Sequence, residues 1–91
     1  MEVIIRKQCL KDLRKVPKHI FTSADTVLDK LRSAENLNKS GVDFMQVKKK
    51  DKEYYRISLG DWRMGIELKT PSVIIITIKQ RSEIYKKFPP Q

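Results

Sequence analysis

The strict two-residue alternation between Glu53 and Lys69 constrains the fold of this chain more than any other feature. Tyr55, Ile57 and Leu59 alternate with Tyr54, Arg56 and Ser58; past Gly60-Asp61, Trp62, Met64, Ile66 and Leu68 alternate with Arg63, Gly65, Glu67 and Lys69. A period of two belongs to strands with one buried face. Two such runs separated by two turn-forming residues make a hairpin. With a two-residue turn, Leu59 lies opposite Trp62, Ser58 opposite Arg63 and Arg56 opposite Gly65. All the apolar members then share one face and the others share the opposite one.

The next strand, Val73 to Lys79, is apolar on both faces for most of its length and so reads as central in the sheet. A three-residue turn, Thr70-Pro71-Ser72, pairs Lys69 with Val73, Gly65 with Thr77 and Arg63 with Lys79. Arg56, Arg63 and Lys79 then lie within about two strand spacings, each ~4.8 Å, with Arg81 and Tyr85 just beyond the strand end. Gly65 is expected to leave the middle of this face open. A concavity walled by Arg and Lys suits a phosphate, because Arg offers a planar fork of donors and Lys a compact charge. The alternative is chance clustering on a solvated face, in a chain with 20 Lys and Arg, with Glu67 neutralising part of it.

Upstream, Glu2 to Arg6 reads as a short strand. Leu10, Leu13 and Val16 form one stripe on a short helix that Pro17 ends. Ile20, Ala24, Val27, Leu28 and Leu31 keep the spacing of one buried face on a longer helix. Residues 8 to 34 are therefore a helical pair packed by one side onto something flat. Asn36 to Asp43 is a connection, Phe44, Met45 and Val47 suggest a short strand, and Lys48 to Lys52 reads as a charged loop. Ser82 to Phe88 forms a terminal helical turn that Pro89-Pro90 stops. The sum is an α+β fold, β-α-α-β-β-β, with the helices on one face of a mostly antiparallel sheet and a short C-terminal helical segment. A chain of 91 residues has room for one core, so 1–91 reads as a single domain.

A formal charge of +9 at this size points to a polyanionic partner. The one cysteine, Cys9, cannot form an intramolecular disulfide, which suggests a reduced, cytoplasmic setting. The longest apolar run, Val73 to Ile76, is too short to span a membrane. No metal-ligand spacing, glycine-rich phosphate loop or Ser-His-Asp set occurs, and no cofactor is expected. The only histidine, His19, starts the long helix and reads as a surface or capping residue.

The strings Tyr55-Arg56-Ile57-Ser58-Leu59-Gly60-Asp61-Trp62-Arg63-Met64 and Val73 to Tyr85 resemble the RelE/ParE superfamily of toxins from bacterial toxin-antitoxin pairs. The family pattern is a Y-R-I-x-x-G-x-Y/W-R hairpin, a hydrophobic strand and an R-x-x-x-Y ending. The resemblance covers essentially the whole chain and implies the RelE-like microbial RNase fold. Members divide between mRNA endonucleases that act at the ribosome and proteins that poison DNA gyrase. The RelE-like branch implies metal-independent cleavage: the 2′-hydroxyl attacks the adjacent phosphate, the 5′-oxygen is protonated, and a cyclic phosphate results. Carried over by position, the resemblance makes Arg56, Arg63, Lys79, Arg81 and Tyr85 the catalytic candidates. Lys48, Lys49, Lys50 and Lys52 are candidates for RNA phosphates, with a merely solvated loop as the alternative. Tyr54 is a candidate for base stacking, with packing as the alternative. The implied partners are a cognate antitoxin, mRNA and the ribosome. A ParE-like gyrase inhibitor and an inactive family member stay open as other readings.

Overall fold

The hairpin forms as counted. In the computed structural model, which describes residues 1–90, the elements run β1 (Glu2–Ile5), α1 (Lys7–Leu13), α2 (Lys18–Ser33), β2 (Phe44–Lys49), β3 (Lys52–Leu59), β4 (Trp62–Lys69), β5 (Ser72–Gln80) and α3 (Arg81–Lys87). Leu59 pairs with Trp62, Ser58 with Arg63 and Arg56 with Gly65. Gly60 takes φ +62° in the turn, a left-handed conformation that costs glycine nothing. The single sheet has the order β1-β5-β4-β3-β2. Only β1 runs parallel to its neighbour, β5; the remaining pairs are antiparallel.

Register between β4 and β5 departs from the expected count. Lys69 pairs with Ser72, not Val73, so the turn is the two residues Thr70-Pro71. Further along, Ile66 pairs with Ile75 but Gly65 with Thr77, and Ile76 is left over as a bulge. The shorter turn and the extra residue cancel, which is why Arg63 still faces Lys79. The bulge also changes which side chains face which layer. Val73, Ile75 and Ile78 all enter the large core, a spacing no unbroken strand can give, while Ile76 turns to the opposite face.

That large core lies between the sheet and α1 and α2. Ile20, Ala24, Leu28 and Leu31 of α2 meet Ile57, Leu59, Met64, Ile66, Val73, Ile75 and Ile78. Burying each large aliphatic side chain there contributes about 1.5–3 kcal/mol. α1 departs from the stripe read in the sequence: Leu10 is exposed, and Cys9, Asp12 and Leu13 are the buried residues. The helix packs along β5, where the Arg6 amide donates to the Ile75 carbonyl at 3.0 Å. Its buried side therefore meets Thr77 and Lys79 as well as apolar side chains, and takes a carboxylate, Asp12, to partner them.

The charged stretch after Val47 is also more ordered than a loop. β2 continues through Lys49, the turn is Lys50-Asp51 with Asp51 at φ +68°, and Lys52 opens β3. The opposite face of the sheet is not an open polar surface. Tyr54, Ile76, Ile84 and Phe88 form a second, smaller apolar cluster there under α3.

Candidate functional site

Gly65 was expected to leave a hollow, and the structure fills it. A Cβ at this position would come within 2.6 Å of Cδ1 of Phe88, so the glycine makes room for a ring that closes the centre of the face. Tyr54 meets the same ring edge-on, with centroids 5.2 Å apart, and is only 6% exposed. The ring is packed in the second cluster, the alternative reading of Tyr54, and leaves little surface open to a base. The cations lie to one side of this plug, toward the β3–β4 turn and α3.

There they divide. Arg56, Arg63 and Tyr85 converge with Met45 and Ser58 around a cleft of about 100 Å³. Cζ of Arg56 lies 4.4 Å from the centroid of the Tyr85 ring, a cation–π contact that fixes both side chains. Nη1 of Arg63 donates to the carbonyls of Gly60 at 2.6 Å and Trp62 at 2.8 Å. These bonds orient the guanidinium at the hairpin end without adding a counter-charge. Arg81 and Tyr85 line a neighbouring cleft of about 430 Å³ with Asp61, Gln80 and Ser82. The Arg81 amide donates to the Asp61 carbonyl at 2.7 Å, tying the start of α3 to the hairpin turn. Tyr85 stands between the two clefts and is 64% exposed.

Lys79 does not join Arg56 and Tyr85. Its ammonium donates to Asp12 Oδ1 at 3.3 Å, and it lines a third cleft of about 260 Å³ with Asp12, Lys15, Trp62 and Glu83. Asp12 also accepts from Thr77 Oγ1 at 3.0 Å and Gln8 Nε2 at 3.2 Å, so its buried carboxylate is fully engaged. Burial first, and then that carboxylate, push the adjacent Cys9 thiol from an ordinary 9.0 up to about 12, against an opposing pull from Lys79.

The four lysines offered for RNA phosphates lie on and around the β2–β3 turn. Lys48 and Lys50 are exposed. Lys49 donates to the Pro90 carbonyl at 3.2 Å, and Lys52 sits 3.7 Å from the buried Glu67 carboxylate. Glu67 also meets Arg6 at 4.0 Å, so it neutralises cations away from the Arg56–Arg63 cleft. The sequence reading missed Met45 and Asp12. Met45 was legible in principle: placing the turn at Lys50-Asp51 pairs it with Arg56. Asp12 was hidden by an apolar stripe that expected Leu10 inside. Among the described residues, no group of three His, Cys, Asp and Glu side chains is placed to hold a metal ion.

Residues 3–85 match the model of the ParE toxin of the type II toxin-antitoxin system parDE. The chain belongs to the RelE/ParE family of type II toxins. Toxin RelE3 of Methanocaldococcus jannaschii is 33% identical over 89 residues, covering 98% of this chain and 100% of its own. The RelE/ParE fold is equally clear in solved structures. The RelB-RelE antitoxin-toxin complex of Methanococcus jannaschii superposes with TM-score 0.79 at 30% identity, over 94% of this chain and 99% of that one. The archaeal RelE-RelB complex from Pyrococcus horikoshii gives 0.71 at 25% identity, over 88% and 93%. The RelBE2 complex of Mycobacterium tuberculosis, at 17% identity and TM-score 0.68, shows the same fold over 88% of this chain and 96% of that one. In this toxin the Arg56–Arg63–Tyr85 cleft opens between β2, β3 and β4 on one side and α3 on the other.

Proposed function

We propose that this toxin is a metal-independent mRNA endoribonuclease that acts on translated messages at the ribosome. The observation that carries this reading is the convergence of Arg56, Arg63 and Tyr85 on one small cleft, held by the cation–π contact and the two carbonyl bonds to Arg63. The 2′-oxygen attacks the adjacent phosphorus and the bond to the 5′-oxygen breaks. The 2′ proton leaves to a base and the 5′-oxygen gains a proton, giving a 2′,3′-cyclic phosphate and a 5′-hydroxyl. Two guanidinium forks near the phosphoryl oxygens stabilise the charge that grows there. Tyr85, exposed beside them, is the group best placed to exchange a proton or stack on a base. Arg81 extends the cationic path along the next cleft. Lys79 is offset by its ion pair with Asp12, and Lys48 and Lys50 offer phosphate contacts.

The solved relatives are antitoxin-toxin complexes, which supports a cognate antitoxin as a protein partner of this chain. With a net charge of +9, the toxin favours an acidic partner segment.

Induction in a translating cell, followed by primer-extension mapping of message 5′ ends, tests the proposal. The expected outcome is translation arrest with new 5′ ends inside translated messages, suppressed by Arg63→Ala and Tyr85→Phe. Growth arrest with uncut transcripts would overturn it. Double-strand DNA breaks in that setting would select gyrase inhibition instead.

A further inference from the structure

The three clefts run one into the next. Tyr85 lines both the Arg56–Arg63 cleft and its neighbour, and Gln80 lines both that neighbour and the cleft beside α1. Gln80 also pairs with Trp62 at the end of the β4–β5 ladder, so the track turns round the end of the sheet onto the face that carries the large core. Trp62, the one tryptophan of the chain, is half-buried there. It packs against the large core and also walls the cleft of about 260 Å³, where an indole offers a surface for stacking. Lys15 lines the same cleft and is exposed. Lys7, Lys11, Arg14, Lys15 and Lys18 are all exposed, and none of them has an ion-pair partner among the described residues. The one carboxylate between residues 7 and 19, Asp12, is buried and already engaged by Thr77, Gln8 and Lys79. The α1 side of the molecule therefore carries positive charge that the fold does not use. Gln80 and Glu83 complete the lining. A carboxylate there disfavours a phosphate inside the cleft but can accept from the amino group of a base, which leaves the phosphate to the lysine rim.

We infer that this cleft is a second RNA subsite, in which a nucleotide away from the scissile phosphate stacks its base on Trp62 and sets its phosphate against Lys15. One message strand is then gripped on both faces of the sheet. The inference rests on the endoribonuclease reading, and its test separates the two. The probe is a 2′-O-methyl RNA hexanucleotide, which binds without being cut, read by the emission of Trp62 itself. A matched series carries one abasic position at each site in turn, and a 2′-O-methyl dinucleotide serves as the short control.

The hexanucleotide quenches Trp62 in the native toxin, whereas the dinucleotide, too short to reach round the sheet from the Arg56–Arg63 cleft, does not. Abasic substitution at one position removes the quenching and weakens binding by about tenfold, the scale of one lost base stack. Trp62→Leu, which keeps an apolar side chain against the core, weakens the intact RNA by a similar factor and is indifferent to that abasic position. Lys15→Ala, at an exposed position that does not threaten folding, lowers the slope of log affinity against log salt by about one; Lys30→Ala, exposed on α2 in a different cleft, leaves it unchanged. Emission unchanged by every oligomer, or the same salt slope in the Lys15→Ala and native proteins, would overturn the subsite, and the nuclease reading stands if the message is still cut on ribosomes. An uncut message in addition would overturn both.

Discussion

The two faces of the sheet are covered in different ways. On one, α1 and α2 bury a continuous set of aliphatic side chains from Cys9 to Ile78; on the other, α3 and the segment after it bury Tyr54, Ile76, Ile84 and Phe88. The large core specifies the architecture. The small one acts more locally, seating α3 so that its exposed Tyr85 meets Arg56 across the cleft. The same chain thus separates the apolar surface that makes it fold from the apolar surface that seats Tyr85 beside Arg56. Damage to the first should appear as lost stability, and damage to the second as lost activity.

The largest stability effect belongs to the large core. Ile75→Ala, at a side chain with 0% exposure, should lower the unfolding free energy by about 3 kcal/mol in urea titration. Gly65→Ala attacks the small cluster, because the new methyl displaces the Phe88 ring. Its stability cost should be smaller, about 1–2 kcal/mol, yet cleavage should fall by roughly tenfold or more as Tyr85 loses its seat. Equal proportional losses in the two variants would break the division between the faces.

Asp12 joins the two regions, since it bonds Lys79 and Thr77 from α1. Asp12→Ala leaves those donors without their acceptor and should cost about 2 kcal/mol, read by the same titration. The smallest effect concerns Cys9. Its thiol ionises near 12 when folded and near 9.0 when unfolded, so between those values the folded chain binds more protons. The contribution is complete below the lower value and is lost as pH rises through that window. Alkylation of the native protein at a mildly alkaline pH, about 8.5 and so near the ordinary thiol value, should accordingly be slow and track unfolding.

The alternation of Tyr55 to Leu68 made the hairpin and its register legible, because one buried face forbids a one-residue slip. The helical face of Ile20, Ala24, Leu28 and Leu31 was legible for the same reason at a period of 3.6. What escaped was tertiary. Nothing in Val73 to Lys79 marks Ile76 as a bulge, since every residue from Val73 to Ile76 is apolar. The plug at Gly65 depends on Phe88, which lies 23 positions away (88 − 65) and meets it only after α3 folds back. Lys79 was placed opposite Arg63 correctly, but its choice of Asp12 depends on α1 lying along β5. Candidate residues could therefore be named from pattern and resemblance, whereas their grouping into three clefts required the packing of α1 and α3.

The central claim, that the Arg56–Arg63–Tyr85 cleft cuts RNA, is tested most directly with purified toxin in a reconstituted translation reaction. Native protein should cut the translated message and leave 2′,3′-cyclic phosphate ends. Arg63→Ala, confirmed folded, should be slower by about 100-fold, the scale of losing one charge-stabilising donor. Cleavage by the variant at the native rate, or an intact message with native protein, would contradict the account.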